Sequence, residues 1–250
     1  MTDVRDALKW SREELPSTKL NCPGLKIDGD RVVAVGWSAG RTLAMSLGFT
    51  PQLCGIKPPE AILAFYCPSN YDDDPNLTDD DYDLIESFTS YIPPLNNGEP
   101  GSFRVSLTDP RWRIILVHMN LKAQWLPILI SGLPSRKKLA THPTKDPKTF
   151  KSLPMPSKEQ IASISPYAQI RFGKYRTPTY LVHGTDDDLV PCEQSRVTID
   201  ALRKIGAECG IAIPVGAKHF FDMFPSEDPI GTGVEAVREG YEFLLTRFGS

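Results

Sequence analysis

The chain has 250 residues, of which 28 are basic and 31 acidic, giving a formal net charge of −3 at neutral pH. That balance lacks the cationic excess with which proteins hold a phosphate backbone, so no nucleic-acid partner is expected. Forty per cent hydrophobic and 24% charged residues describe an ordinary globular chain with material for a large core. No run nears the roughly 20 apolar residues of a membrane span, and no membrane partner is expected.

Met1-Thr-Asp-Val-Arg-Asp6 has no apolar signal region. The five cysteines, Cys22, Cys54, Cys67, Cys192 and Cys209, include no C-x-x-C pair. An odd, scattered set fits a reducing compartment, taken here as cytoplasmic, better than a disulfide scaffold or zinc site.

In chain order, Asp3 to Leu15 carries Val4, Leu8 and Trp10 among charges and stops before Pro16, the pattern of an amphipathic helix. Arg31 to Trp37 is short, β-branched and apolar, as a strand covered on both faces would be. Ser38 to Phe49 has helical spacing, and Ala61 to Cys67 is a second buried strand introduced by Pro58-Pro59. Strand, helix and strand in close succession make a parallel βαβ unit.

From Pro68 to about Pro166 that rhythm is lost in an insertion of about a hundred residues, far longer than ordinary connections. Its helical candidates are 79–91 and an apolar segment, 112–133, that Pro127 should kink. The acidic runs Asp72 to Asp74 and Asp79 to Asp83 match no calcium-loop spacing and read as a solvated surface. The alternation resumes with a strand at Thr179 to His183, a helix at Cys192 to Ile205, a strand at Gly210 to Val215 and a closing helix at Val234 to Phe248.

Three places concentrate chemistry. Gly36-Trp37-Ser38-Ala39-Gly40 sits where a strand ends and a helix begins. A serine at such a turn projects its hydroxyl above the sheet, the next N–H can hold an oxyanion, and Gly36 and Gly40 are expected to leave room where a Cβ would clash. His183-Gly-Thr-Asp-Asp-Asp-Leu-Val-Pro191 follows the penultimate strand. Of its three aspartates Asp187 is preferred, with Asp186 and Asp188 as solvated neighbours, because the middle of that loop lies over the strand ends. His219 follows the last strand, where a base is needed, whereas His118, His142 and His183 have structural readings.

The order Ser38, Asp187, His219, together with the elbow and the H-G-T-x-D-x-x-V-P loop, resembles the α/β-hydrolases in their esterase and lipase branch. Asp3 to Trp10 and Gly29-Asp-Arg-Val-Val-Ala-Val-Gly-Trp-Ser38 are similar to fungal esterase-like hydrolases, including those that accompany or terminate polyketide synthases. The likeness runs from residue 3 to 248 and is weakest in the insertion.

The resemblance implies an α/β-hydrolase fold with a shortened, mostly parallel sheet. Residues 1–67 and 167–250 would form its core and 68–166 a largely helical cap. Ser38 would be the nucleophile, His219 the general base, Asp187 the residue that fixes the imidazole, and Ala39 N–H an oxyanion donor. The cap would line an acyl pocket with Trp112, Trp125, Leu126, Ile128 and Leu129, for which plain cap core is the competing reading. A small-molecule carboxylic ester or acyl thioester is the implied substrate, without metal or organic cofactor.

Full members begin with further strands and a loop that supplies a second oxyanion donor, and no such segment precedes Asp3 here. Loss of one donor is worth about 10² to 10³ in rate. The strand 31–37 becomes an apolar edge that invites homodimer pairing. Arg41 stands where the family usually has another glycine, either as a cation for an acidic substrate, as a replacement for the lost donor, or as a solvated or structural arginine. The competing functions are a weak or inactive relative that binds an acyl ligand or protein partner, and a non-hydrolytic cyclase.

Overall fold

The structure is a computed structural model and describes residues 2–22, 24–66, 68–71, 157–223 and 232–248. The chain divides into two compact units, one of residues 1–71 with 162–250 and the other of residues 72–161. The expected helices at 79–91 and 112–133, the five candidate pocket residues, His118 and His142 all lie outside the described residues.

The described elements are helix α1 (Thr2–Glu13), strand β1 (Ala34–Trp37), helix α2 (Ala39–Ser46), strand β2 (Ile62–Phe65), helices α3 (Lys158–Ile164) and α4 (Pro166–Arg171), strand β3 (Thr179–Val182), helix α5 (Glu193–Lys204), strand β4 (Cys209–Ala212) and helix α6 (Thr232–Leu245). The strands form one sheet in the order β1-β2-β3-β4, every pair parallel. Among the described residues no helix is long and apolar enough to cross a membrane.

The side-chain alternation of a strand sends successive residues to opposite faces. Ile62, Ala64 and Leu181 therefore join Met45, Phe49, Ile170, Ile199 and Leu202 on one side of the sheet. Leu63, Phe65, Tyr180 and Val182 join Phe221, Ala236 and Leu244 on the other. Helices α2, α4 and α5 thus cover one face and α6 the opposite one. β2 and β3 are buried throughout, as inner strands with both faces covered must be, whereas β1 and β4 are only half-buried. Among the described residues no strand pairs with the outer edge of β1.

Strand ends differ from the sequence reading for local reasons. The run expected from Arg31 enters the ladder only at Ala34, because the Val32 N–H donates to Glu60 Oε2 at 2.7 Å instead of to a strand carbonyl. β2 stops at Phe65 because Tyr66 turns to a φ of 30°. β4 closes at Ala212, two residues before Pro214, which has no N–H to offer a neighbour.

Arg12 anchors α1. Its guanidinium donates to Gly29 O at 2.8 Å, Lys57 O at 3.1 Å, Pro58 O at 2.6 Å and Glu60 Oε2 at 3.1 Å, so one side chain ties the helix to both segments that lead into the first two strands.

Candidate active site

Parallel register brings Trp37, Phe65, Val182 and Ala212 level with one another, so the residues that follow them emerge at one edge of the sheet. Ser38 is the first of these. Its backbone is held at φ 48°, ψ −123°, a region that costs a non-glycine residue about 1–3 kcal/mol. The turn is pinned on both sides: Ser38 N donates to Phe65 O at 3.1 Å and Ser38 O accepts from Arg41 N at 3.0 Å. A Cβ at Gly36 would stand 2.5 Å from Gly40 O and 2.6 Å from the Arg41 Cα, which explains that glycine. Gly40 corrects the sequence reading. It is exposed on the first turn of α2 and a Cβ there meets nothing within 4 Å, so its side of the elbow has no steric need for glycine.

The loops after β3 and β4 are stitched together by their backbones. Thr185 N donates to Pro214 O and Asp186 N to Ala217 O, each at 3.1 Å, and Gly216 N donates to Thr185 Oγ1 at 2.8 Å. Their approach is so close that a Cβ on Gly184 would lie 2.0 Å from Ala217 O. This seam sets Asp187 against His219. The His219 Nδ1–Asp187 Oδ2 distance is 2.8 Å, and the His219 Nε2–Ser38 Oγ distance is 3.1 Å. A carboxylate only accepts, so Nδ1 carries the proton and Nε2 is left to accept from the Ser38 hydroxyl.

Asp187 has a fully buried side chain. Burial alone would raise its pKa, but hydrogen bonds from His183 and His219 and the backbone N–H of Val190 outweigh it and hold the carboxyl well below the usual range. Leu189 N and Val190 N donate to Oδ1 at 2.9 and 2.8 Å, and His183 Nε2 lies 3.1 Å from Oδ2. Asp186 and Asp188 are exposed.

Arg41 is placed differently from a substrate-facing cation. It is fully buried and donates through Nη1 to Ser195 Oγ at 3.1 Å, so it belongs to the packed layer under the elbow. The Trp37 ring stacks on Phe65 at 5.2 Å and donates through Nε1 to Asp222 Oδ2 at 2.7 Å. Tyr66 donates to the other oxygen of Asp222 at 2.5 Å and tilts against the His219 ring at 4.5 Å. Burial first, then the neighbouring Asp222, raises the pKa of Tyr66 far above its ordinary value, so it remains a phenol donor. Phe220, beside His219, is another non-glycine residue at positive φ, 64°.

Sequence reasoning gave His183 only a structural reading and passed over Ser195, Tyr66 and Asp222. The available signal for two of them was position, since Tyr66 and His183 directly follow strands that end at the same edge as Ser38.

Comparison with known proteins bears on this arrangement. Residues 141–249 match the model of the prolyl oligopeptidase family. The structure superposes on an esterase of Thermogutta terrifontis phosphonylated by sarin with a TM-score of 0.52, at 20% identity, covering 98% of this chain and 64% of that one. A propionate-bound form gives 0.50 at 19% identity. By fold this chain is an α/β-hydrolase.

The chain is also 45% identical, over 98% of its length, to a non-reducing polyketide synthase of Emericella nidulans. A 5-methylorsellinic acid synthase of Aspergillus terreus is 45% identical over 97% of it, and the methylphloroacetophenone synthase of Cladonia uncialis 39% identical over all of it. The chain spans only 10% of each of these proteins.

Proposed function

We propose that the chain is a serine hydrolase that cleaves an ester or acyl thioester of a polyketide-type acyl group. The observation that carries the reading is the unbroken line Ser38 Oγ, His219, Asp187, at 3.1 and 2.8 Å, with Ser38 on a strained elbow.

The chemistry follows from that geometry. His219 Nε2 takes the hydroxyl proton as Ser38 Oγ adds to the acyl carbonyl, and Asp187 stabilises the imidazolium and its orientation. Ala39 N–H, at the first position of α2, is the oxyanion donor, aided by the positive end of that helix. Collapse of the tetrahedral intermediate expels the alkoxide or thiolate, which receives the proton from His219. Water then attacks the acyl-enzyme by the same route, releasing the acid and restoring Ser38.

The polyketide context, and with it the class of acyl group, rests on the similarity to polyketide synthases. The same reading includes pairing of two copies through the outer edge of β1.

The test is turnover of p-nitrophenyl butyrate and of an acyl-N-acetylcysteamine thioester, wild type against Ser38→Ala. Release of free acid that disappears with the hydroxyl is the expected result. Equal inertness of both proteins would overturn the proposal.

A further inference from the structure

The buried hydrogen bonds do not end at Asp187. His183, fully buried at the end of β3, lies with Nε2 3.1 Å from Asp187 Oδ2 and 3.0 Å from Val190 O, and with Nδ1 2.7 Å from Ser195 Oγ. A carbonyl and a carboxylate only accept, so Nε2 must carry the proton and Nδ1 must accept. Ser195 on α5 is therefore the donor to Nδ1, and its oxygen in turn accepts from Arg41 Nη1 at 3.1 Å. The Nε2 proton lies between two acceptors, and this tautomer pairs a donor with an acceptor at every contact. Arg41 lies on α2, three residues after Ser38, so the helix that carries the nucleophile also closes the far end of the line.

We propose that His183, fixed by Ser195 and Arg41, is a positioning residue that sets the Asp187 carboxylate for His219. The inference rests on the hydrolase reading above. A carboxylate turns easily about its terminal torsion, because that torsion has broad, nearly twofold minima. Here the two backbone N–H groups of Leu189 and Val190 hold Oδ1, and the His183 N–H, shared with Val190 O, faces Oδ2, the oxygen that receives His219. The plane of the acid is thus defined before the catalytic imidazole engages it.

Burial, reinforced by the nearby Arg41 cation against the opposing pull of Asp187, lowers the pKa of His183 and keeps it neutral, in the one tautomer that serves as donor. An arginine at position 41 thereby has a function under the elbow that needs no contact with substrate. Histidine suits the junction because its two nitrogens face opposite demands at once: a donor toward Asp187 and an acceptor toward Ser195.

The experiment compares wild type, His183→Met, His183→Gln and Ser195→Ala on p-nitrophenyl butyrate. Rates are taken per active site, with sites counted by fluorophosphonate incorporation carried to completion. His183→Met removes the donor, and kcat per site is expected to fall about 10- to 100-fold, as for other residues that orient a catalytic ligand, with KM nearly unchanged. His183→Gln returns an N–H near the position of Nε2 and is expected to recover most of that loss. Ser195→Ala leaves the ring in place without its tautomer partner and is expected to lose about fivefold or more, on the order of a lost hydrogen bond; this variant decides the question if His183→Met does not fold.

An unchanged kcat per labelled site in His183→Met, or in Ser195→Ala where that variant decides, overturns the inference while leaving the hydrolase reading intact. So does a His183→Gln variant as impaired as His183→Met. A wild type that neither turns over nor labels overturns both.

Discussion

Asp187 and His183 share one contact and respond to pH in separate windows. The folded pKa of Asp187 is depressed, so its stabilising effect is complete above the unfolded value of about 4 and is lost only as pH falls below that. His183 is also depressed, but as a base: the unfolded chain takes up a proton near pH 6.5, at which point the folded ring still refuses it. Stability contributed by neutral His183 is therefore present above about pH 6.5 and declines as pH falls toward its folded value. Thermal melts between about pH 7.5 and 5.5 should show a steeper loss of Tm in wild type than in His183→Gln, and equal slopes would contradict the buried neutral ring. For catalysis, Asp187→Asn should lower kcat by about 10⁴, because an amide can present its NH₂ to His219 and favour the wrong tautomer.

What the sequence made legible at this scale was the set whose place follows from order along the chain. Ser38, Asp187 and His219 each come after a strand in a parallel sheet, and that alone puts them at one edge. The contacts of His183, which had only a structural reading, and of Ser195, Tyr66 and Asp222 were hidden because they depend on which loop packs on which. Asp222 meets Trp37 across 185 residues, and Ser69 meets Thr198 across 129, distances over which no spacing pattern speaks.

The elements show the same division. Periodicity placed α1, α2, α5 and α6 and all four described strands to within a few residues, whereas their ends were decided by single contacts such as Val32 to Glu60. Gly184 is a sharper case. As a turn residue it looks dispensable, yet the carbonyl of Ala217 occupies the space of its absent Cβ. Gly184→Ala should force the Asp187 and His219 loops apart, lowering stability by about 1–3 kcal/mol and kcat by more than a stability change alone explains. Chemical denaturation and turnover on the same preparation would separate the two effects, and wild-type values in both would refute the close seam. Arg12→Ala removes a charged donor from acceptors on five residues around the entries to β1 and β2. A loss of about 2–3 kcal/mol, seen as a Tm lower by roughly 4–10 °C, is expected in calorimetry, with activity below the transition preserved.

For the whole molecule, the outer edge of β1 and the small share of each relative that this chain represents raise the same question, what stands beside the sheet. Edge strands with apolar, half-buried residues are usually covered. If two copies provide that cover, sedimentation of the purified chain should give a mass near twice 27.8 kDa. A monomer at micromolar concentration would remove edge pairing from the account. The central claim, that Ser38 is a nucleophile activated by His219, is met most directly by treating the chain with a fluorophosphonate and locating the adduct by peptide mass spectrometry. The account requires a single adduct on the peptide bearing Ser38, formed far more slowly in His219→Ala. Labelling at another residue, or none on a folded wild type, would contradict it.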